Sequence, residues 1–294
     1  MDRKAFAIIG GGKMGEAILS GWLASEVAPA AAIVADDVVV VEPGEERRAY
    51  LRETHGVTCV ADVADVAGAA GAAGAADVAG AYAADVVVLA VKPQVMMGVL
   101  DSIAQQPVFQ GGAEGPLFVS IAAGLPTDRL AEGLPQDAPL VRVMPNMPLM
   151  VGAGASGVCG GANATADQVQ YVADLFGCLG RAVVVDEADM DAVCAVSGSG
   201  PAYVAALVEA MRDAGAVQGL DPALAEVLAL QTVLGTARLI DETALTPQTA
   251  REAICSPGGT TLAALDAMSA AGFAPSINEG IAAAVKRSKE LAQS

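Results

Sequence analysis

The first half of the chain alternates short apolar runs with longer segments in which apolar residues recur at helical spacing. Two of the runs, Val38–Val41 and Asp85–Val91, consist almost entirely of aliphatic residues. Uninterrupted runs of this kind are typical of strands that are covered by helices on both faces. Further strands are predicted at Phe6–Gly10, Val57–Val60, Leu117–Ile121, Leu140–Met144, Gly152–Gly161 and Ala182–Val185. The alternation predicts an α/β fold built on a doubly wound parallel sheet.

From about Asp189 onward the chain changes to Ala- and Leu-rich segments, and this part predicts helices only. These are expected over Tyr203–Val217, Ala223–Ile240, Pro247–Ile254, Thr261–Ala271 and Ile277–Leu291. We therefore predict an α/β domain at residues 1–188 and an all-helical C-terminal domain at residues 189–294. The apolar residues of the tail, such as Leu224 and Val227, exceed what a lone bundle of this size needs. We expect a second subunit to cover them.

Residues 61–84 consist almost wholly of Ala, Gly, Val and Asp. Because glycine interrupts a helix, the pattern favours a surface connection or a frayed helix. No chemistry is assigned to this stretch.

Composition narrows the kinds of partner. The chain has 294 residues, of which 54% are hydrophobic and only 3% aromatic, and its formal net charge is −18. So negative a surface argues against a nucleic-acid partner, because binding to phosphates needs a basic face. It still allows an anionic small molecule in a pocket that is locally rich in N–H groups.

The cysteine and histidine content argues against a metal site. The five cysteines are scattered, and the only histidine is His55. The sequence therefore offers neither a zinc-type cluster nor a histidine-dependent triad, and scattered cysteines fit a reducing compartment. We interpret the cysteines as core residues and His55 as a surface residue. With no signal peptide before the first strand and no uncharged run long enough for a membrane span, we expect a cytoplasmic protein without a membrane partner.

A glycine-rich turn follows the first predicted strand and opens the first helix. This Gly-x-Gly-x-x-Gly pattern lets backbone approach a pyrophosphate at a helix N-terminus, and it predicts a Rossmann-like dinucleotide site. The residues assigned to the cofactor here are Gly10, Gly11, Gly12, Lys13, Met14 and Gly15.

The cofactor's ribose is expected at the end of the second strand. Glu42 could bond both ribose hydroxyls, which favours NAD. Arg47 and Arg48, on the next helix, could instead pair with the 2′-phosphate of NADP. They could also be a solvated helix face, so these residues alone leave the choice open.

The ends of three later strands supply the remaining cofactor candidates. Carboxyl ends of parallel strands lie at the edge where doubly wound folds bind ligands, and Pro93 suits the first turn of a helix. A lysine in this position could equally be an exposed cap residue, and a Pro-Asn pair could be an ordinary turn. The candidates are Ala90, Val91, Lys92, Pro93, Ala122, Ala123, Gly124 and Asn146.

Two further motifs place small hydroxylated residues directly before long helices. They are Ser197–Ala202, with the sequence SGSGPA, and Ser256–Thr261, with the sequence SPGGTT. Unpaired N–H groups and a partial positive charge make a helix N-terminus suitable for a carboxylate. Such sequences also occur as ordinary helix-start loops.

Taken together, these motifs resemble the pyrroline-5-carboxylate reductase family. The match runs in order from Ile9 to about Leu291. It departs from the family at Met147, where threonine is usual, and in the longer Ala/Gly-rich stretch. The residues that carry it are Gly10–Gly15, Ala90–Gln94, Arg142–Asn146, Ser197–Tyr203 and Ser256–Thr261.

The resemblance implies reduction of the cyclic imine 1-pyrroline-5-carboxylate to L-proline, the last step of proline biosynthesis. It implies NADPH as the favoured cofactor, with NADH as the alternative, and a homo-oligomer that is a dimer or a ring of dimers. Catalytic roles are implied for Thr261, Ser199 and Glu187, and Glu187 could equally be a solvated loop residue. The implied substrate-binding residues are Ser197, Gly198, Gly200, Gly259, Thr260 and Thr261.

Two other functions are compatible with a dinucleotide-binding domain followed by helices. A 3-hydroxyacid dehydrogenase needs a catalytic lysine in its helical domain, and Gly200–Ala283 contains no lysine. A regulatory nucleotide-binding protein would share the fold without turnover, and the presence of Ser199 and Thr261 argues against it.

Overall fold

A computed structural model describes residues 4–69 and 83–292 and shows one eight-stranded sheet. The order is β3-β2-β1-β4-β5-β6-β7-β8. The β6–β7 pairing is antiparallel and β8 is parallel to β7, so β7 and β8 both run opposite to the other six strands. The sequence order reverses between β1 and β4, and ligands of doubly wound folds bind at such a switch point. The strands are β1 (Phe6–Ile9), β2 (Val38–Val41), β3 (Thr58–Val60), β4 (Val86–Leu89), β5 (Leu117–Ser120), β6 (Leu140–Met144), β7 (Gly154–Gly160) and β8 (Gly180–Val184).

Helices cover both faces of the sheet and make up the C-terminal region. They are α1 (Lys13–Leu23), α2 (Glu45–His55), α3 (Pro93–Ala104), α4 (Thr127–Ala131), α5 (Ala166–Gly177), α6 (Met190–Val193), α7 (Gly200–Val217), α8 (Pro222–Glu242), α9 (Pro247–Ile254), α10 (Thr260–Ala270) and α11 (Phe273–Ala292). A π-helical turn, Cys194–Gly198, joins α6 to the residues before α7.

Two apolar layers enclose the sheet. On one face Trp22 of α1 packs against Phe6, and its indole N–H donates to the carbonyl oxygen of Leu175 at 3.0 Å. On the other face Met96 and Leu100 of α3 are fully buried. Because alternate residues of each strand point to opposite faces, the valine runs of the central strands supply both layers at once.

Contacts divide the chain into two compact units. The first comprises residues 1–198 together with 285–294, and the second comprises residues 199–284. The sequence analysis placed the boundary at 188/189, whereas the structure places it after the π turn. The physical reason is that Met190, in α6, is buried in a cluster with Met144 of the sheet. The end of α11 also belongs to the first unit, because the Ser288 hydroxyl donates to Asp191 at 2.5 Å.

The helical unit has little interior of its own. Ala225 and Ala229 are its buried residues on α8, while Val227 of the same helix is 64% exposed. In the described part of the chain, Glu187–Val217 and Pro222–Glu242 are long and apolar enough to cross a membrane. The sequence analysis expected no such run. Length and composition alone are weak support for a membrane span.

The predicted fold class is confirmed. All the predicted strands form, β2 and β6 with the predicted ends and the others with shifted ends. The prediction did not foresee that β7 is antiparallel, because an apolar run carries no directional information. The expectation for residues 61–84 falls mostly on 70–82, which lie outside the described residues. Within the described part, Val63–Gly68 forms a 3-10 helix with Val63 and Val66 buried.

Candidate active site

The glycine turn lies at the switch point, between the ends of β1 and β4. Gly10 has φ +113°, and a Cβ there would lie 2.8 Å from the carbonyl of Ala90. A Cβ on Gly15 would lie 2.2 Å from the Gly10 oxygen, whereas one on Gly12 would meet nothing within 4 Å. Gly10 and Gly15 are therefore required by the protein's own backbone. Gly12 leaves space beside the start of α1.

This space suits a dinucleotide pyrophosphate. Gly12 is the N-cap residue of α1 and has no side chain that could accept a hydrogen bond. The first N–H groups of the helix, which include those of Lys13 and Met14, therefore have no side-chain cap. Those N–H groups and the helix dipole favour an anion. The chain would therefore hold the cofactor's phosphates by backbone, as the sequence predicted.

The ribose-side residues are already bonded to one another. The Glu42 carboxylate accepts from the N–H groups of Gly11 at 3.2 Å and Gly44 at 3.0 Å. Arg47 Nε donates to the Gly11 oxygen at 2.7 Å, and Arg48 donates to the Glu42 carbonyl oxygen at 2.7 Å. Glu42 is therefore held at the glycine turn, and both arginines already brace the same loop.

His55 is bonded to α1, which corrects its interpretation as a surface residue. Its Nε2 lies 3.1 Å from Oε1 of Glu16, and its side chain is only 13% exposed. The other oxygen of Glu16 accepts from Arg47 at 2.5 Å. Burial raises the pKa of Glu16, but hydrogen bonds from Arg47, His55 and Tyr50 lower it by more. The pKa of Glu16 is therefore below its usual value.

The neighbouring strand ends meet the same edge. Lys92 is the N-cap residue of α3, and its side chain is exposed. Pro93 lies in the first turn of the helix. Ala122, at the end of β5, is buried, and its N–H donates to the Ser120 hydroxyl at 3.3 Å. Gly124 has φ +74°, and a Cβ there would lie 3.0 Å from Leu291. The backbone at Gly124 is thus already packed against the end of α11.

Asn146, the residue two positions beyond β6, is bonded within the protein. Its amide Nδ2 donates to the Ser197 carbonyl oxygen at 3.0 Å, and its Oδ1 accepts from the Ala155 N–H at 2.8 Å. The Ser197 hydroxyl donates to the Val193 oxygen at 2.9 Å. Asn146 and Ser197, predicted for cofactor and substrate respectively, are therefore brought together.

Arg142, Glu187 and Cys159 form a polar cluster at β6 and β7. No chemical role was predicted for Arg142 from the sequence. Arg142 of β6 is 3% exposed, and its Nη1 donates to Oε1 of Glu187. The Cys159 thiol donates to the other carboxylate oxygen at 3.2 Å. Burial, together with the neighbouring Glu187 carboxylate, raises the pKa of the Cys159 thiol to about 12. An arginine inside an apolar strand was the sequence signal for this cluster, since buried arginines are paired.

Both helix starts form as predicted. Ser197 and Gly198 of the first motif belong to the first unit, and Ser256–Thr261 lies in the second. Pro201 lies in the first turn of α7, and its N-cap Ser199 makes no side-chain cap hydrogen bond. Gly258 has φ +70°, which favours glycine, and Gly259 is the N-cap of α10 without a side-chain cap. By contrast, Thr165, Asp221 and Thr246 cap α5, α8 and α9 with their own side chains.

The start of α10 is thus open to an anion. Its first residues are Thr260 and Thr261, and Thr261 is partly exposed. Backbone N–H groups, a neighbouring hydroxyl and the helix dipole together can bind a carboxylate.

A cavity of about 570 Å³ lies elsewhere, at the amino end of the sheet. Lys4, Asp85 and Tyr171 are among its lining residues, and the Lys4 ammonium lies 5.2 Å from the centre of the Tyr171 ring. None of the predicted site residues lines it. Among the described residues, no group of three His, Cys, Asp or Glu could hold a metal ion.

The fold and the glycine turn define a dinucleotide-dependent oxidoreductase. Residues 5–124 match the family described as NADP oxidoreductase, coenzyme F420-dependent, and residues 187–291 match the one described as pyrroline-5-carboxylate reductase dimerisation. The pyrroline-5-carboxylate reductase of Synechocystis is 42% identical over 285 residues, covering 97% of both chains. That of Pseudomonas aeruginosa is 40% identical and covers 100% of this chain and 98% of its own. The chain belongs to the pyrroline-5-carboxylate reductase family.

Solved structures agree with this assignment. A pyrroline-5-carboxylate reductase from Coxiella burnetii superposes with a TM-score of 0.85 at 30% identity, over 100% of both chains. The Plasmodium falciparum pyrroline carboxylate reductase with NADP bound gives a TM-score of 0.80 at 27% identity, over 99% of both chains. The resemblance drawn from the motifs is confirmed.

Proposed function

We propose that the protein reduces 1-pyrroline-5-carboxylate to L-proline with NADPH, with NADH as the alternative cofactor. The observation that carries this proposal is the start of α10, where Gly258 and Gly259 lead into Thr260 and Thr261 with no side-chain cap. The sole carboxylate of the imine matches such a site in charge and size. The full-length identity to pyrroline-5-carboxylate reductases supports the same reaction.

The cofactor supplies the hydride, and the chain's residues supply position. The N–H groups at the start of α1 would bind the pyrophosphate, with Gly12 leaving space for it. Glu42 is placed to accept from a ribose hydroxyl, because its carboxylate already lies at the Gly11 N–H. Ala90 and Pro93 would face the cofactor from the neighbouring strand end.

Substrate-binding roles are proposed for two helix-start segments. Gly259, Thr260 and Thr261 would bind the carboxylate, and residues of Ser197–Gly200 are the other proposed contacts. A cyclic imine is readily protonated near neutral pH, so the protein needs to orient an iminium more than it needs a strong acid. This fits a chain whose single histidine, His55, is engaged with Glu16.

Glu187 is proposed to have a structural role, through its hydrogen bonds with Arg142 and Cys159. Arg142 and Cys159 each donate to one oxygen of its carboxylate. We infer that Glu187 anchors the segment that leads to Ser197, in place of the catalytic role that the resemblance implied.

The protein is proposed to act in the cytoplasm as a homo-oligomer, either a dimer or a ring of dimers. The match of residues 187–291 to the dimerisation family supports the dimer. Val227, Leu228 and Leu230 of α8 are each at least half exposed in one chain, and a partner subunit would cover them. The same coverage explains the membrane-like composition of α8 without a membrane.

Light scattering tests the assembly. Val227→Asp would place a charge on the apolar face of α8 and is expected to shift the molar mass toward that of one chain. Val34→Asp, at an exposed valine outside the dimerisation region, is the matched control and should leave the mass unchanged. A wild-type protein that is a monomer at assay concentration would contradict the proposal.

The reaction is tested on the purified protein by the fall in NADPH absorbance after adding 1-pyrroline-5-carboxylate, with proline measured by chromatography. Equal amounts of NADPH consumed and proline formed are expected, and no consumption is expected without imine. If NADPH binds but no proline forms, the chain is a nucleotide-binding protein and the proposed function is wrong.

A further inference from the structure

The side-chain amide of Asn146 ties the end of β6 to the π-helical turn. It donates to the Ser197 carbonyl oxygen at 3.0 Å and accepts from the Ala155 N–H at 2.8 Å. Asn146 is 8% exposed. Since a buried amide keeps its orientation only when its donor and acceptor ends both find partners, these two bonds fix which end faces Ser197.

A packing contact supports the same turn from the same strand. A Cβ on Gly198 would lie 2.7 Å from Cε of Met144 and 3.6 Å from Sγ of Cys194. The last residue of the turn is therefore pressed against the end of β6. Hydrogen bonding through Asn146 and packing through Met144 together hold Ser197 and Gly198 at one place.

The turn itself is an irregular segment that needs such support. Cys194–Gly198 is π-helical and is followed directly by Ser199 and α7. The π-helix is rare and appears mostly as single turns, often at functional sites. Contacts from outside the helix, through Asn146 and Met144, therefore help to fix the geometry at Ser197.

We propose that Asn146 is a positioning residue that acts through the Ser197 carbonyl to set the conformation of the Ser197–Gly198 turn against the substrate. Its consequence for turnover rests on the proposed function, because that function places the imine beside this turn. Asn146 was expected from the sequence to bind the cofactor. In this proposal its amide bonds to Ser197 within the protein instead.

Asn146→Asp is the informative variant. The introduced carboxyl keeps an acceptor for the Ala155 N–H, but when ionised it places an oxygen where the Nδ2 donor faced the Ser197 oxygen. When protonated, the same group can donate again. The charged side chains that line the depression beside Ala155 and Ser197 are Arg181 and Asp189, which are of opposite sign. Burial next to a carbonyl favours the protonated form of the introduced carboxyl.

The kinetic test compares the variant with wild type from about pH 5.5 to pH 8.5 in kcat/KM for the imine. At the alkaline end we expect a loss of roughly tenfold or more, the size of one lost hydrogen bond. The loss should shrink as the pH falls, and the Kd for NADPH should stay within about twofold of wild type. Asn146→Ala should lose activity without the acid recovery. A ratio to wild type that is constant with pH, or a rise in the NADPH Kd as large as the loss of kcat/KM, would overturn the proposal.

Amide hydrogen exchange separates this proposal from the proposed function, because it needs no substrate. Residues 194–202 should exchange faster in Asn146→Asp than in wild type at alkaline pH and equally at acid pH, while α5 is unchanged at both. Asn163→Asp, which adds the same charge at an exposed position of the same unit, should match wild type throughout. If wild type shows no imine reduction, the function is wrong. If the turn's exchange is unaltered in Asn146→Asp, the positioning role is wrong.

Discussion

Arg142 and Glu187, which are 45 residues apart in sequence, form an ion pair that joins β6 to the segment after β8. The arginine side chain is 4% exposed and the carboxylate 34%. Nε of Arg142 is buried without a hydrogen-bond partner. The guanidinium is paired instead through Nη1, which bonds to Glu187. Removing one member of a buried pair leaves the other charge poorly compensated.

Arg142→Met should therefore destabilise the protein by about 2 kcal/mol, less than for a fully buried pair because Glu187 is partly solvated. Urea unfolding measures the change. Arg129→Met, which breaks the exposed pair between Arg129 and Glu132, is the control and should cost at most about 0.5 kcal/mol. Equal effects of the two substitutions would show that the Arg142 pair is no stronger than a surface contact.

Gly12 and Gly15 separate binding from folding within one turn. A side chain at Gly12 meets no protein atom within 4 Å, whereas one at Gly15 would lie 2.2 Å from the Gly10 oxygen. Gly12→Val should keep the wild-type Tm and abolish binding of NADPH in calorimetry. Gly15→Ala should lower the Tm itself, because backbone must move. Unchanged NADPH affinity in Gly12→Val would show that the pyrophosphate binds elsewhere.

Glu42 is expected to weaken the preference for the cofactor with a 2′-phosphate. Its carboxylate is held at the glycine turn by Gly11 and Gly44, where it would oppose a phosphate charge. Glu42→Gln should improve the Kd of NADPH relative to NADH by roughly five- to tenfold, about 1 kcal/mol. Glu46→Gln, an exposed neighbour on α2, removes an equal charge and should leave the ratio unchanged. An unaltered ratio in Glu42→Gln would place the ribose away from this carboxylate.

The sequence predicted most of the sheet because its strands are valine-rich and short. Val38–Val41 and Leu140–Met144 form with the predicted ends. It could not reveal the reversal at β7, since direction depends on the connection and on pairing with β6. The π turn was equally hidden, because nothing in Cys194–Gly198 distinguishes five residues of π-helix from a loop.

The local geometry of the candidate site was predicted best where the backbone sets it. The glycines of the first turn and the start of α10 have the expected geometry, because their conformations follow from residue type alone. Side chains with several possible partners were harder. Asn146 bonds Ser197, and Arg47 bonds Gly11, contacts between distant segments that no local pattern specifies.

Thr261 tests the carboxylate site. Thr261→Ala would remove one charge-assisted hydrogen bond and leave the backbone N–H groups of α10, a loss of about 1.5–3 kcal/mol. The expected fall in kcat/KM for the imine is roughly 10- to 150-fold, with the Kd for NADPH unchanged. Thr243→Ala, whose exposed hydroxyl donates to the Leu239 oxygen, is the control. Kinetics within about threefold of wild type for Thr261→Ala would move the carboxylate elsewhere, first to Ser197–Gly200.

The central claim is that this chain transfers hydride from NADPH to the imine carbon of 1-pyrroline-5-carboxylate. Incubating the purified protein with the imine and NADPH deuterated at both C4 positions of the nicotinamide tests it directly by mass spectrometry. Proline that carries a single deuterium, located at C5, is the expected product. Proline without deuterium, or no proline while NADPH binds normally, would contradict the claim.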